Sequence, residues 1–122
     1  MDFKFDTLKE QRPPNKAKTI GYATKAVWNG AFAEIYHHDN LIAEIYKDMV
    51  KLHRAGWDSD TTSNRLHQIV RANYPYKPEV GDIYSVGKVS GKIGLHVNSL
   101  FIRFDSITIG RKGMLNARAG SN

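Results

Sequence analysis

The sequence predicts an α+β fold, mainly β, built from two antiparallel β-meanders joined by one short helix over a single core. Three observations carry this expectation. Turn dipeptides recur at short intervals between segments whose apolar residues alternate, the pattern of hairpin-connected strands. One stretch shows helical apolar spacing between a cluster of capping residues and a proline. The length, 122 residues with 41% hydrophobic and 25% charged side chains, suits one domain with one core and argues against wholesale disorder.

Residues 1–18 mix charges of both signs and contain Pro13-Pro14, so they are expected to form a flexible arm ahead of a single domain at 19–110. Asn29-Gly30 is the strongest hairpin signal, because both residues tolerate the positive φ of a type I′ turn. Asp39-Asn40 and Lys47-Asp48 are further turns, which place strands near 19–28, 31–38, 41–46 and 49–53. Period-two alternation puts Ala33, Ile35, Leu41, Ala43, Ile45, Val50 and Leu52 on one face. The opposite face carries Phe32, Glu34, Tyr36, Ile42, Glu44, Tyr46, Met49, Lys51 and His53. That face is too apolar to be wholly solvated, so the helix, the second half or another chain is expected to cover it.

The helix is expected at 61–73. Asp58, Ser59, Asp60 and Thr61 offer oxygens to its free amides, Leu66, Ile69 and Val70 form its apolar stripe, and Arg71 suits its carbonyl end. Pro75 stops it, and the run to Pro78 is an extended connector. Ser90-Gly91, Asn98-Ser99 and Asp105-Ser106 then separate strands near 82–89, 92–97, 100–104 and 107–110. Ile93, Leu95, Val97, Leu100, Ile102, Phe104, Ile107 and Ile109 take the inner face of this second meander; Lys92, His96, Phe101, Arg103 and Thr108 take the outer one. From residue 111 the chain is rich in Gly, Ala and Ser with only basic charges, which reads as a flexible basic tail over 111–122.

The chain carries a net charge of +6, and the surplus is uneven: +2 over residues 1–80 and +4 over 81–122. A positive last third attracts phosphates or an acidic surface, and it also keeps a small protein soluble. Without cysteine there is neither a disulfide framework nor thiolate-ligated zinc. The start lacks a basic-then-apolar export pattern, and no apolar run approaches the ~20 residues of a membrane span, so a cytoplasmic location with no membrane partner is expected.

No phosphate-binding glycine loop or nucleophile elbow occurs, and the sequence points to no cofactor. His37-His38-Asp39 invites a metal reading, but adjacent strand residues face opposite ways and cannot share one ion, so no metal site is expected. His53, Asn64 and His67 invite comparison with a hairpin-and-helix nuclease. Only 54–60, mostly loop, separates the histidine from the helix, which leaves no room for the second strand such a site needs. A non-enzymatic protein is expected.

The most informative stretch runs from Gly56 to Leu66. Gly56 permits a bend, Trp57 is placed to staple the first helical turn, and the hydroxyls that follow can cap it. Thr61, Thr62 and Arg65 at a helix start also suggest an anion site. Strand, turn, strand, then G-W-x-[ST]-x-T-T-x-x-R-[LM] into a short helix resembles a family of small tailed-bacteriophage proteins. The resemblance rests on His38, Asn40, Ile42, Ile45, Val50 and Leu52, then Gly56, Trp57, Ser59, Thr61, Thr62, Arg65 and Leu66. It covers about 19–73 and departs at His67, where the family pattern commonly has Asn. The resemblance implies a phage or prophage origin and an accessory role, counter-defence among them, and brings no catalytic residue with it.

Three functions fit these features. The first is binding to nucleic acid or to a nucleic-acid-containing host machine, through Lys92, His96, Phe101, Arg103, Arg111 and Lys112. The second is a sponge for a nucleotide signal held at Thr61, Thr62 and Arg65. The third is a structural or protein-interaction subunit, a homo-oligomer included, that uses the outer face of the first meander.

Overall fold

Ile35, Ala43, Ile45, Val50, Leu52 and Ile109 are wholly buried, and together they mark the inner face of the larger of two sheets. A computed structural model describes residues 2–11, 14–74 and 83–110, with the backbone of 115–118. The elements are α1 (Phe5–Leu8), β1 (Lys18–Gly21), β2 (Thr24–Trp28), β3 (Ala33–His37), β4 (Asn40–Ile45) and β5 (Met49–His53). Then come α2 (Asp60–Asn73), β6 (Tyr84–Val89), β7 (Lys92–Val97), β8 (Leu100–Arg103), β9 (Ser106–Gly110) and β10 (Leu115–Arg118). One sheet has seven strands in the order β1-β2-β3-β4-β5-β9-β10, the other three in the order β6-β7-β8. All neighbours are antiparallel. This is the expected α+β class, with α2 lying against β4 and β5 and running beside β6.

α2 begins one residue before the expected position. Ser59, in extended conformation, caps it by accepting from the Thr62 amide at 3.2 Å; Asp60 and Arg71 complement its two ends, and Leu66, Ile69 and Val70 are buried. The second meander divides between the sheets. Its first three strands form the small sheet, while β9 crosses to pair with β5, Val50 opposite Ile109 and Leu52 opposite Ile107. Arg54 fixes that crossing: its backbone amide donates to Asp105 O at 2.8 Å, its Nε to Phe104 O at 3.2 Å, and its guanidinium pairs with the Asp105 carboxylate.

Several local expectations are corrected. The strand drawn over 19–28 is two strands, because Ala23 takes a φ of 50° and reverses the chain between Gly21 and Thr24. Asn29-Gly30 lies in a four-residue connection rather than a two-residue turn. The Asn29 carboxamide oxygen accepts from the amides of Ala31 and Phe32, and only Gly30 has positive φ. The next turn is His38-Asp39, one residue earlier than drawn, with φ of 49° and 63°. β4 holds a bulge: Ala43 faces Ile35 and Leu41 faces Tyr36, so Ile42 is the extra residue. Ile42 is buried instead of Leu41, against the simple alternation.

The described part of the leader is not a free arm. Phe3 and Leu8 are buried in the core, and Asn73 ties the segment to the end of α2 by donating to Phe3 O at 2.9 Å and accepting from the Phe5 amide at 3.2 Å. The C-terminal segment, expected to fray, supplies β10 along β9 from Leu115–Ile109 to Arg118–Ser106. Arg111 and Lys112 lie outside the described residues.

Candidate functional site

The corner between β5 and α2 is a tight reversal. Ala55 and Gly56 have φ of 56° and 77°, and the Trp57 amide donates to Arg54 O at 3.0 Å. The reversal turns Trp57 outward, 54% exposed, so the staple expected from the sequence is not made. Polar contacts anchor the corner in its place. Asp58 accepts from the Ile93 amide at 2.9 Å and from Arg54 Nη1 at 3.0 Å, with Lys92 Nζ at 3.7 Å. Burial pushes the Asp58 carboxyl up, but the Ile93 amide and the Arg54 and Lys92 charges outweigh it and hold the group below its ordinary value.

Freed from packing, Trp57 forms one wall of a cleft of about 430 Å³ that His37, His38, Asn40, Ile42, Ser59, Thr61 and Thr62 complete. The β4 bulge places Ile42 here, and the His38-Asp39 turn and the α2 start close the two ends. The His37 ring is only 3% exposed. Its neighbour across the sheet is Thr24, whose hydroxyl lies 3.1 Å from His37 Nδ1. That hydroxyl donates its single proton to Tyr22 O at 2.8 Å and accepts from Arg65 Nε at 3.0 Å. Nδ1 must therefore carry the proton and donate to Thr24. Burial, followed by the charges of His38 and Arg65, lowers the His37 pKa and keeps the ring neutral, so Nε2 is a bare acceptor. Nε2 is buried with no hydrogen-bond partner among the described residues.

The anion site expected from the sequence is not assembled. Thr61 and Thr62 line the cleft, but Arg65 turns away, with Nε on Thr24 and Nη1 on Gln68 Oε1 at 3.0 Å. Two carboxylates already complement the positive end of α2: Asp60, paired with Lys88 at 3.0 Å, and Asp58.

On the small sheet, His96 and Phe101 face each other across β7 and β8 with ring centroids 4.7 Å apart, and Arg103 is exposed. Lys92 is engaged with Asp58, and Phe101 lies over Gly94, where a side-chain carbon would meet its ring. The outer face of the first meander satisfies itself instead of leaving an apolar patch. Phe32 stacks on Tyr46 at 4.4 Å, Tyr46 donates to Glu44 and Tyr36 to Glu34, and His53 Nε2 lies 2.7 Å from Glu44. Burial, with Glu44 adding to it, pushes the Tyr46 hydroxyl up to about 12. His53 thus sits on the outer face, whereas His67 accepts from the Val86 amide beside the small sheet; the two do not share a site with Asn64. Among the described residues no three His, Cys, Asp or Glu side chains could hold a metal ion, and no helix is long and apolar enough to cross a membrane.

The protein family described as Kyanoviridae Gp96 protein matches residues 7–84. The chain belongs to this family. It is phage-associated, as the corner motif implied, and the match takes in every cleft residue from His37 to Thr62 while ending before β7 and β8. No curated protein and no solved structure matches the chain.

The sequence drew attention to the stretch from Gly56 to Leu66, and the packing job it suggested for Trp57 is not the one the structure shows. Two consecutive left-handed residues before Trp57 decide its direction, and Gly56 alone hinted at them. His37 was legible only as one of a histidine pair, since its role depends on Thr24, distant in sequence.

Proposed function

We propose that this phage-family protein is a non-enzymatic accessory binding protein and that its ligand sits in the cleft between the His38 turn and the start of α2. The cleft itself carries this reading: the start of α2 and an outward Trp57 enclose it beside a buried His37, whose Nε2 has no partner among the described residues. The half-exposed indole of Trp57 and the volume of the cleft, within the roughly 300–1,000 Å³ of small-molecule sites, support it. A protein of this kind acts by occupancy, removing a ligand or presenting itself with it.

Titrating isotope-labelled protein with a mixed panel of planar aromatic, sugar and acyclic fragments tests the seat. NMR shift changes centred on the Trp57 indole and the Thr61 and Thr62 amides are expected, with the bound fragment recovered unchanged. A panel that leaves those signals still removes the cleft from consideration, and turnover of a bound fragment removes the non-enzymatic reading.

A second reading, binding of a nucleic-acid strand along β7 and β8, rests on the His96–Phe101 ring pair beside exposed Arg103. Lys92 and Phe101 have structural engagements there, which weakens it. Retention on single-stranded DNA or RNA that falls steeply with salt and is lost in Arg103→Ala would favour it.

A further inference from the structure

We propose that β8 is a strand-addition edge and that a second copy of this chain occupies it. The two β8 strands pair antiparallel about a two-fold axis at Ile102, which joins the small sheets of the two copies into one. The seam uses no residue of the cleft.

The ladder between β7 and β8 fixes which groups of β8 are free. Val97 and Leu100 flank the two-residue Asn98-Ser99 turn, so they exchange both of their backbone hydrogen bonds. That pairing alternates along an antiparallel ladder. Leu100 and Ile102 therefore aim their backbone groups at β7, and Phe101 and Arg103 aim theirs away. Two contacts agree with this count. Ile102 O faces β7, 2.7 Å from the place a Gly94 side-chain carbon would take. The same count from the Ser90-Gly91 turn sends the Val86 amide outward from β6, where it donates to His67 Nδ1 at 3.2 Å. α2 thus closes the β6 edge of the small sheet. No strand runs along the β8 edge, and among the described residues nothing pairs with the outward backbone groups of Phe101 and Arg103.

The side chains of β8 select the occupant. A two-fold at Ile102 sets Phe101 opposite Arg103 of the second copy on both sides of the axis, and so engages every outward group of both strands. A two-fold at Phe101 engages only one such pair within the strand, and one at Arg103 sets two guanidiniums opposite each other. About Ile102, each Arg103, exposed and without an ion pair among the described residues, comes beside the Phe101 ring of the other copy. On the other face Ile102 meets Ile102, and Leu100, 66% exposed, lies diagonal to the second copy's Ile102. The strand is thus complementary to itself in hydrogen bonds, charge and apolar surface.

Sedimentation equilibrium of the full chain over a concentration series up to about 1 mM tests the seam. A monomer–dimer equilibrium is expected. It should tighten with added salt, which screens the +6 that each copy carries. Arg103→Pro removes an outward amide and leaves the bonds to β7 in place, because an edge strand tolerates proline. It should weaken dimerisation at least about tenfold, since symmetry loses the bond twice. Leu100→Lys alters an exposed side chain; it should weaken dimerisation with thermal unfolding unchanged, and it carries the test if the proline variant does not fold. Single cysteines read the register, since the chain has none of its own. With diamide as oxidant, Ile102→Cys should form a disulfide-linked dimer much faster than Leu100→Cys. A monomer throughout, a dimer that salt loosens, parent affinity in either folded variant, or faster linking through Leu100→Cys overturns the proposal.

Discussion

The two sheets share a turn chemistry and differ in how much they bury. Each has a two-residue hairpin turn with both residues left-handed, His38-Asp39 in the large sheet and Ser90-Gly91 in the small one. In the large sheet every inward aliphatic side chain from Ala33 to Leu52 is covered, because α2 and the leader lie across it. In the small sheet Ile93 and Leu95 are buried, but Ile102 is only partly so and Leu100 is 66% exposed. The difference bears on the site. A buried polar group such as His37 Nε2, with no partner among the described residues, persists only where surrounding packing fixes the structure, and it sits in the sheet with that surplus.

The sharpest way to break this comparison is to remove matched side chains. Leu52→Ala in the large sheet should cost about 2–5 kcal/mol in denaturant unfolding, and Ile102→Ala in the small one about 1 kcal/mol. Equal losses would mean that the sheets share one core energetically. Gly94→Ala should cost about 1–3 kcal/mol, since the added carbon would meet Ile102 O at 2.7 Å and Phe101 Cε1 at 2.8 Å. Its signature should be a displaced Phe101 ring.

Acid should find the two sheets through different histidines. Burial lowers the pKa of both His37 and His67 from the ordinary 6.5, with His38 and Arg65 adding to the first and Arg71 to the second. A histidine depressed in the folded state binds its proton more readily when unfolded. The stability it contributes is therefore complete above pH 6.5 and is lost as pH falls through the lowered folded value. His67 Nδ1 accepts from the Val86 amide, so its protonation also breaks the seam between α2 and β6, whereas a proton on His37 Nε2 leaves the bond to Thr24 in place. Hydrogen exchange at Val86 should rise first on acidification, and protection that fails first at Thr24 would reverse this order. The smallest expected effect belongs to Trp57→Ala, within about 0.5 kcal/mol of the parent in thermal unfolding, since the side chain is more exposed than buried.

Much of the fold was legible because it depends on neighbours in sequence. The α2 stripe, the Ser90-Gly91 turn and the inward positions of Ile93, Leu95, Phe104, Ile107 and Ile109 are local patterns that the structure keeps, whereas Leu100, expected on the same inner face, is exposed. Two of the misses depend on contacts far along the chain. β9 crosses sheets because Arg54 holds Asp105 and Phe104, and Phe3 is buried because Asn73 caps the path of the leader. For the candidate site, Thr61, Thr62 and Trp57 were named from sequence, and Arg65 was assigned to an anion it does not face. His37 escaped because its tautomer is set by a hydroxyl on another strand.

The extra residue in β4 makes the site sensitive to a class of mutation that substitutions do not reproduce. Deleting Ile42 would bring Ala43 opposite Ile35 and Leu41 opposite Tyr36 without a break, and every other side chain of β3 and β4 would keep its face. The shortened chain would have a more regular ladder and would lose Ile42 from the lining of the cleft. A single codon lost or gained here thus separates a plain sheet from one with a cleft, so among relatives the length of β4 should report the presence of the site more directly than the identity of any residue in it.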